Sequence, residues 1–328
     1  MKIILPGGSG QLGIVLARHF LRADHELVVL SRRSDDNWVG RHFLNDTRIR
    51  QVKWDGKNVE AHWLEEIDGA DVVVNLAGRS VNCRYHQKNR ALIMESRVDS
   101  TRAIGQAIEQ CRNPPSVWLQ SSTATIYAHR YDEPNDEASG IIGGDEPNLE
   151  GTWKFSIDVA KAWEAAATEF RFSTTRQVLM RTAMVMSPDA EGVFDVLTGL
   201  VKKCLGGRNG DGKQYVSWIH EDDFVAAIDY LITNKTLEGP VNIASPNPLP
   251  NSDFMRELRE ANGVKFGLPA MRWMLEVGAR LMKTETELLL KSRRVVPGKL
   301  LTAGFKFKFP HWSAACQDLE NKLAGGKP

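Results

Sequence analysis

The sequence predicts an α/β fold: a doubly wound parallel sheet carrying a smaller, mostly helical C-terminal lobe. Three observations support it. The chain opens with the apolar run Ile3-Ile4-Leu5, then a glycine turn, then the helix-patterned stretch Ile14 to Leu21. Apolar runs of strand length alternate with helical periods through the first half, and the alternation breaks down after Met186. Strands that are apolar at nearly every position suit a sheet covered on both faces, and such sheets bind ligands at the carboxyl ends of their strands.

The first turn, Gly7-Gly8-Ser9-Gly10-Gln11-Leu12-Gly13, places glycines at 7, 10 and 13 between a strand and a helix start. A nucleotide pyrophosphate needs this arrangement: backbone without side chains approaches the phosphates, and the helix N-terminus offers unpaired N–H groups and a positive dipole end. The spacing differs from G-x-G-x-x-G, and glycine turns also serve as plain connections, so the argument rests on position. Gly7, Gly10, Gln11, Leu12 and Gly13 are therefore candidate cofactor contacts. The next strand is Leu27-Val28-Val29-Leu30, and Ser31-Arg32-Arg33 stand at its end. NAD enzymes usually carry a carboxylate there for the ribose hydroxyls; a hydroxyl and two guanidiniums suit a 2′-phosphate, which predicts NADP. The bland alternative is a solvated loop whose arginines Asp35 and Asp36 neutralise.

Further strands are predicted at Gln51 to Trp54, Asp71 to Gly78 and Val117 to Ser122, with a helix from Gln87 to Cys111. Ile126 to Thr152 lack a sustained period and read as a long loop over the sheet, and loops of that length are often functional. A helix over Phe155 to Phe170 precedes a continuous strand, Val178 to Met186. Then come a helix over Phe194 to Leu205, a glycine-rich turn from Gly206 to Gly212, a helix from Asp222 to Ile232 and a short strand, Val241 to Ala244. The basic cluster Lys291 to Arg294 reads as a solvated helix face.

With 328 residues, 42% hydrophobic and 25% charged, the chain can bury a large core. A formal net charge of +1 argues against bulk nucleic-acid or anionic-membrane binding and towards small-molecule partners. Cys83, Cys111, Cys204 and Cys316 form no C-x-x-C or Cys/His spacing, so free thiols and no metal site are expected. Without a signal-peptide pattern or an apolar run of membrane-spanning length, a soluble cytoplasmic protein is expected.

Asn75-Leu76-Ala77-Gly78, Ser121-Ser122-Thr123 and Trp218 to Asp223, taken with the glycine turn, resemble the extended short-chain dehydrogenase/reductases with their Rossmann sheet. Ser96 to Thr101, Trp163-Glu164-Ala165-Ala166, Gly212 to His220, Val241 to Pro248, and Arg294-Val295-Val296-Pro297 through Gly304-Phe305 are similar to one atypical subgroup. Its members are labelled epimerase family proteins or nucleoside-diphosphate-sugar epimerases, and they end in a small domain of unknown function. The resemblance implies residues 1–186 as the NADP-binding domain, with 213–245 returning to it, and 187–212 with 246–328 as substrate lobe and C-terminal domain. It adds Asp55, Leu76, Ala77, Gly78, Arg84 and Ser121 to the cofactor set, Asp55 towards the adenine and Arg84 towards a phosphate or substrate anion. Arg79 stands where the subgroup usually has an acid.

Active extended enzymes use a Ser or Thr with a Y-x-x-x-K pair, one helical turn apart and so on one face. Here Ser156 holds the Tyr position and Ala160 the Lys position. The remaining catalytic candidates are Thr123, or Ser122 one residue earlier, and Tyr127. Trp218 and His220 read as structural, with Asp222 as a helix N-cap. Two functions follow: an NADP-dependent oxidoreductase or epimerase acting on a small polar or nucleotide-linked substrate, or a non-catalytic NADP-binding sensor. Such enzymes commonly pair through helices packed on the sheet, which leaves a homodimer open.

Overall fold

A computed structural model describes residues 1–33, 37–147, 149–281 and 285–325; Asp35 and Asp36 lie outside them. The first half alternates as the sequence predicts: β1 (Lys2–Pro6), α1 (Gln11–Arg22), β2 (Glu26–Ser31), α2 (Trp38–Phe43), β3 (Ile49–Lys53), α3 (Ala61–Ile67), β4 (Val72–Asn75) and α4 (Gln87–Gln110). There follow β5 (Val117–Thr123), the long loop, α5 (Gly151–Thr168) and β6 (Arg176–Thr182). The strand predicted to run to Gly78 stops at Asn75, whose side-chain oxygen accepts the N–H of Ala77 and turns the chain out of the sheet.

The continuous strand predicted from Val178 to Met186 is broken. Ala183 donates its N–H to Ile243, and beyond it β7 (Met184–Met186) leaves the main sheet to pair in parallel with a later strand. The chain continues through α6 (Val193–Lys202), β8 (Tyr215–Val216), β9 (Trp218–His220), which is the partner of β7, α7 (Glu221–Thr233) and β10 (Gly239–Ile243). It ends with β11 (Leu249–Pro250), α8 (Asn251–Ala261), α9 (Arg272–Leu281), α10 (Glu287–Leu290), α11 (Gly298–Thr302) and α12 (Trp312–Gly325). The N-cap of α7 is His220, not Asp222: its Nδ1 accepts the Asp222 N–H at 3.0 Å.

Seven parallel strands are ordered β10-β6-β5-β4-β1-β2-β3. The order reverses between β1 and β4, and a crevice opens at their carboxyl ends. Because strand side chains alternate, Ile3 and Leu5 pack on one face with Val15, Leu16, Phe20, Phe224 and Ile228, while Ile4 packs on the other with Trp63, Ile104 and Trp118. A separate core joins Met186, Phe194, Trp218, Phe254, Trp312 and Leu319, with the Phe254 and Trp312 rings stacked at 4.1 Å. No helix among the described residues is long and apolar enough to cross a membrane.

The predicted solvated helix face at Lys291 to Arg294 is a further correction. These residues follow α10 as extended chain, and Lys291, Ser292 and Arg293 are buried. The segment is sewn to the long loop: Asn135 donates its N–H to Arg294 O and accepts that of Val296, and Ser292 Oγ donates to Arg130 O. Lys291 Nζ donates to Thr125 O at 2.8 Å.

Candidate functional site

The glycine turn fits the crevice through three different constraints. Gly7 has φ +75°, and a Cβ there would lie 2.7 Å from the Ala77 backbone. A Cβ on Gly13 would lie 2.1 Å from Gly8 O, so this glycine lets α1 close on the turn. A Cβ on Gly10 meets only Gly7 O, at 3.5 Å, because Gly10 faces open space. That space is a cavity of ≈ 410 Å³ bounded by the glycine turn, Ser31, Arg32, Arg33, Trp54, Asp55, Ala77, Gly78, Ser96 and Ser100.

The end of β2 is arranged around hydroxyls. Ser31 Oγ lies 3.2 Å from Ser9 Oγ and accepts the Arg33 N–H, so the two arginines leave the strand at the cavity rim, exposed. Asp55 accepts the N–H groups of Lys57 and Asn58 and the Asn58 amide. Burial pushes its carboxyl upwards, but those donors together hold it below the ordinary range. Gln11 and Leu12 open α1 beside the turn, Leu12 packing on the core and the Gln11 amide reaching Gly192. Leu76 is half-buried and donates its N–H to Pro6 O. None of these three side chains lines the cavity.

A second cavity has a volume of ≈ 200 Å³. Thr123, Thr125, Thr182, Ala183 and Met184 from the sheet end, Ser156 and Val159 from α5, Tyr85, Arg97, and Glu287 and Arg293 from the C-terminal segment line it. Thr123 stands on this wall, with its Oγ1 accepting the Thr125 N–H.

Ser122 and Tyr127 line neither cavity. Ser122 Oγ donates to Glu164, which holds Arg181 by two bonds of 2.8 and 2.7 Å. Arg181 in turn donates to the Tyr127 hydroxyl, which donates to Asn242 Oδ1. Tyr127 is 2% exposed; burial raises its phenol, with Arg181 pulling the other way. Both hydroxyls are spent on a buried network that welds β5, α5, β6 and β10, so neither faces the cavity. Arg84 pairs with Glu285 at 2.9 Å, Glu285 takes the Tyr85 N–H as well, and Arg84 lines neither cavity. Ser121, half-buried on β5, lines neither. Arg79 is held near α4 by Ser96 and Asn89.

Sequence reasoning missed Tyr85, Arg97, Glu287 and Arg293. The one available signal was Ser156 in place of tyrosine, which left room in the cavity to be filled from elsewhere. His220, Asp222 and Asp318 also bring ligand-type atoms within 4.8 Å of one another, but Lys322 supplies the cation there, 2.8 Å from Asp222 and 3.2 Å from Asp318.

The profile of the NAD dependent epimerase/dehydratase family matches residues 3–244, and that of a domain of unknown function (DUF1731) matches residues 272–319. An epimerase family protein of Staphylococcus aureus strain MW2 is 28% identical over 320 residues, 97% of this chain and 98% of its own length. A human epimerase family protein solved with NADPH superposes with a TM-score of 0.81 at 23% identity, over 98% of this chain and 100% of that one. The UDP-glucuronic acid 4-epimerase of Bacillus cereus, solved with UDP-glucuronic acid and NAD, gives 0.75 at 14% identity, over 99% of each. At these identities the two structures are evidence of fold alone.

Proposed function

We propose that this chain, which belongs to the NAD dependent epimerase/dehydratase family, binds NADP(H) and acts as an oxidoreductase or epimerase on a small polar substrate. One observation carries the cofactor choice: Ser31, Arg32 and Arg33 line the same cavity as Gly7 and Gly10, and among the described residues no acidic one stands at the end of β2. Guanidiniums make charge-assisted, bidentate bonds to phosphate, and a hydroxyl beside them adds a donor. The residues present fit the group: Gly10 leaves open the space a pyrophosphate needs, and Gly7 lets the backbone close on Ala77. The turn and Ser9 would take the pyrophosphate, Trp54, Asp55 and Gly56 the adenine side, and Ala77 and Gly78 the adjoining ribose. The reduced cofactor, when bound, supplies a hydride. Thr123 would orient a substrate oxygen at the second cavity.

A non-catalytic NADP-binding sensor is the second reading, favoured by Ser156 and Ala160 at the Tyr and Lys positions of active relatives. One experiment separates the two. Purified protein is mixed with NADPH and a panel of small aldehydes, ketones and ketoses, or with NADP⁺ and the corresponding hydroxy compounds, whose epimerisation begins with oxidation, and cofactor and product stereochemistry are followed. Cofactor consumption or substrate epimerisation supports the enzyme, binding without either supports the sensor, and absence of NADPH binding refutes both.

A further inference from the structure

The C-terminal segment occupies the space that the two missing α5 side chains would have filled. Ser156 donates its hydroxyl to Glu287 Oε2 at 2.5 Å. One helical turn on, Ala160 packs with Val295 from the same segment. Ala160 is fully buried there, which leaves no space for a lysine, and the segment carries carboxyl and guanidinium groups of its own to the cavity wall.

Glu287 is 1% exposed and lines the cavity. Its Oε1 has no hydrogen-bond partner, and the Arg293 guanidinium stands 3.6 Å away, beyond hydrogen-bond length. Oε1 is thus ion-paired but accepts no hydrogen bond, and a buried carboxyl oxygen left in that state is costly, so a site that retains one is expected to use it. Burial raises the carboxyl's pKa, with Arg293, Ser156 and Lys291 opposing. Tyr85, on the same cavity wall, has its phenol pushed up to about 12 by burial and then by Glu287. It stays protonated at neutral pH, and so high a pKa makes it a weaker proton donor than a carboxyl.

We propose that Glu287 is the catalytic acid–base residue of this cavity and Ser156 its positioning residue, serving the reduction of a small carbonyl compound. The proposal rests on the NADP(H) reading above. In the reducing direction the Glu287 O–H bond breaks and its proton forms an O–H bond on the carbonyl oxygen, which has taken up the C=O π pair. The carbonyl carbon receives the hydride that the cofactor supplies, and the carboxylate left behind is held by the Ser156 hydroxyl and the Arg293 charge. Solvent reprotonates it, and oxidation runs the same steps backwards. The cavity's ≈ 200 Å³ falls below the roughly 300–1,000 Å³ of ordinary ligand pockets, and Phe155, Val159 and Met184 make much of its wall apolar. A compact ketone or aldehyde suits it better than a nucleotide-linked sugar.

The test uses the full chain, Glu287→Gln, which is isosteric and can still accept from Ser156, and cyclohexanone labelled with ¹³C at the carbonyl. Infrared difference spectra across the neutral range should show a protonated carboxyl band in the wild type that is missing from Glu287→Gln. They should also show a lowered probe carbonyl frequency in the wild type alone. NADPH should bind both proteins within about twofold, while turnover of any carbonyl compound the wild type reduces falls about 10²–10⁴-fold and partly returns in Glu287→Asp. If Glu287→Gln fails to fold, Ser156→Ala serves instead: it should raise the pH midpoint of the Glu287 band by removing a bond to the ionised form. A Glu287 ionised throughout, with equal probe frequencies in both proteins, overturns the proposal and makes Glu287 a structural partner of Arg293. Failure of NADPH to bind the wild type would instead refute the cofactor reading, and the band and probe shift would still decide whether Glu287 donates to a carbonyl.

Discussion

Gly10 and Gly13 lie three residues apart in one turn, yet replacing each by alanine should damage different properties. At Gly13 the new Cβ would stand 2.1 Å from Gly8 O and 2.3 Å from Gly8 Cα, both backbone atoms that no rotamer change can move aside. Helix α1 must therefore shift off the turn, breaking the packing of Val15, Leu16 and Phe20 on Ile3 and Leu5. Overpacking of this kind costs about 1–3 kcal/mol, and the backbone clash puts Gly13→Ala at the upper end, about 3 kcal/mol. For a chain of this size that lowers the melting temperature by roughly 4 °C. At Gly10 the Cβ meets only Gly7 O at 3.5 Å, with φ −82° and ψ 173°, backbone that alanine adopts freely. Loss of chain entropy in the unfolded state offsets the poorer N-cap, so the unliganded protein should change by less than about 1 kcal/mol. The methyl group instead enters the cavity where the pyrophosphate is expected, and NADPH affinity should fall at least about tenfold, 1.4 kcal/mol. Thermal melts of the unliganded proteins and calorimetric titration with NADPH read the two effects separately. The reasoning is refuted if Gly10→Ala melts as early as Gly13→Ala, or if it binds NADPH like the wild type.

Tyr127→Phe should lower stability by about 1–3 kcal/mol by depriving Arg181 and Asn242 of a buried partner, and should leave NADPH affinity unchanged; a loss of affinity without a loss of stability would place the phenol at the cofactor after all. Acid should weaken the fold in two stages. Burial holds buried His220 down at about 4 from 6.5, so the unfolded chain binds the extra proton and stability falls as pH drops from 6.5 towards 4. Asp222, which burial raises but Lys308 and Lys322 pull down to about 2, keeps its contribution above 3.8 and loses it as pH falls through 2. Melting curves against pH should show both limbs, and His220→Gln should flatten the first; an unaltered first limb would contradict the assignment.

The Rossmann half was legible because its signals are local. Four-residue apolar runs, a glycine turn and the helix periods all act within about twenty residues, and β1, β2, β4 and β5 appear where those patterns lie. Ser31 to Arg33 could be placed at the cavity because strand ends fix position in a parallel sheet. What escaped depended on long-range contacts. Nothing near Val178 to Met186 announces that Ala183 will bond Ile243 and divert the strand towards Trp218. Lys291 and Arg293 read as solvated because charged residues usually are, and Thr125, Glu287 and the long loop, up to 168 residues away, explain their burial. Tyr127 looked poised for chemistry from its place after a strand end, but its partners Arg181 and Asn242 lie 54 and 115 residues on.

Calorimetric titration of NADPH and NADH into the wild type and Arg32→Ala decides whether the Ser31–Arg33 rim selects a 2′-phosphate. Charge-assisted bonds contribute about 1.5–3 kcal/mol each, so the wild type should prefer NADPH by at least about tenfold, and Arg32→Ala should lose most of that preference while binding NADH as before. Equal affinities for the two cofactors in the wild type, or an Arg32→Ala variant that weakens both alike, would contradict it.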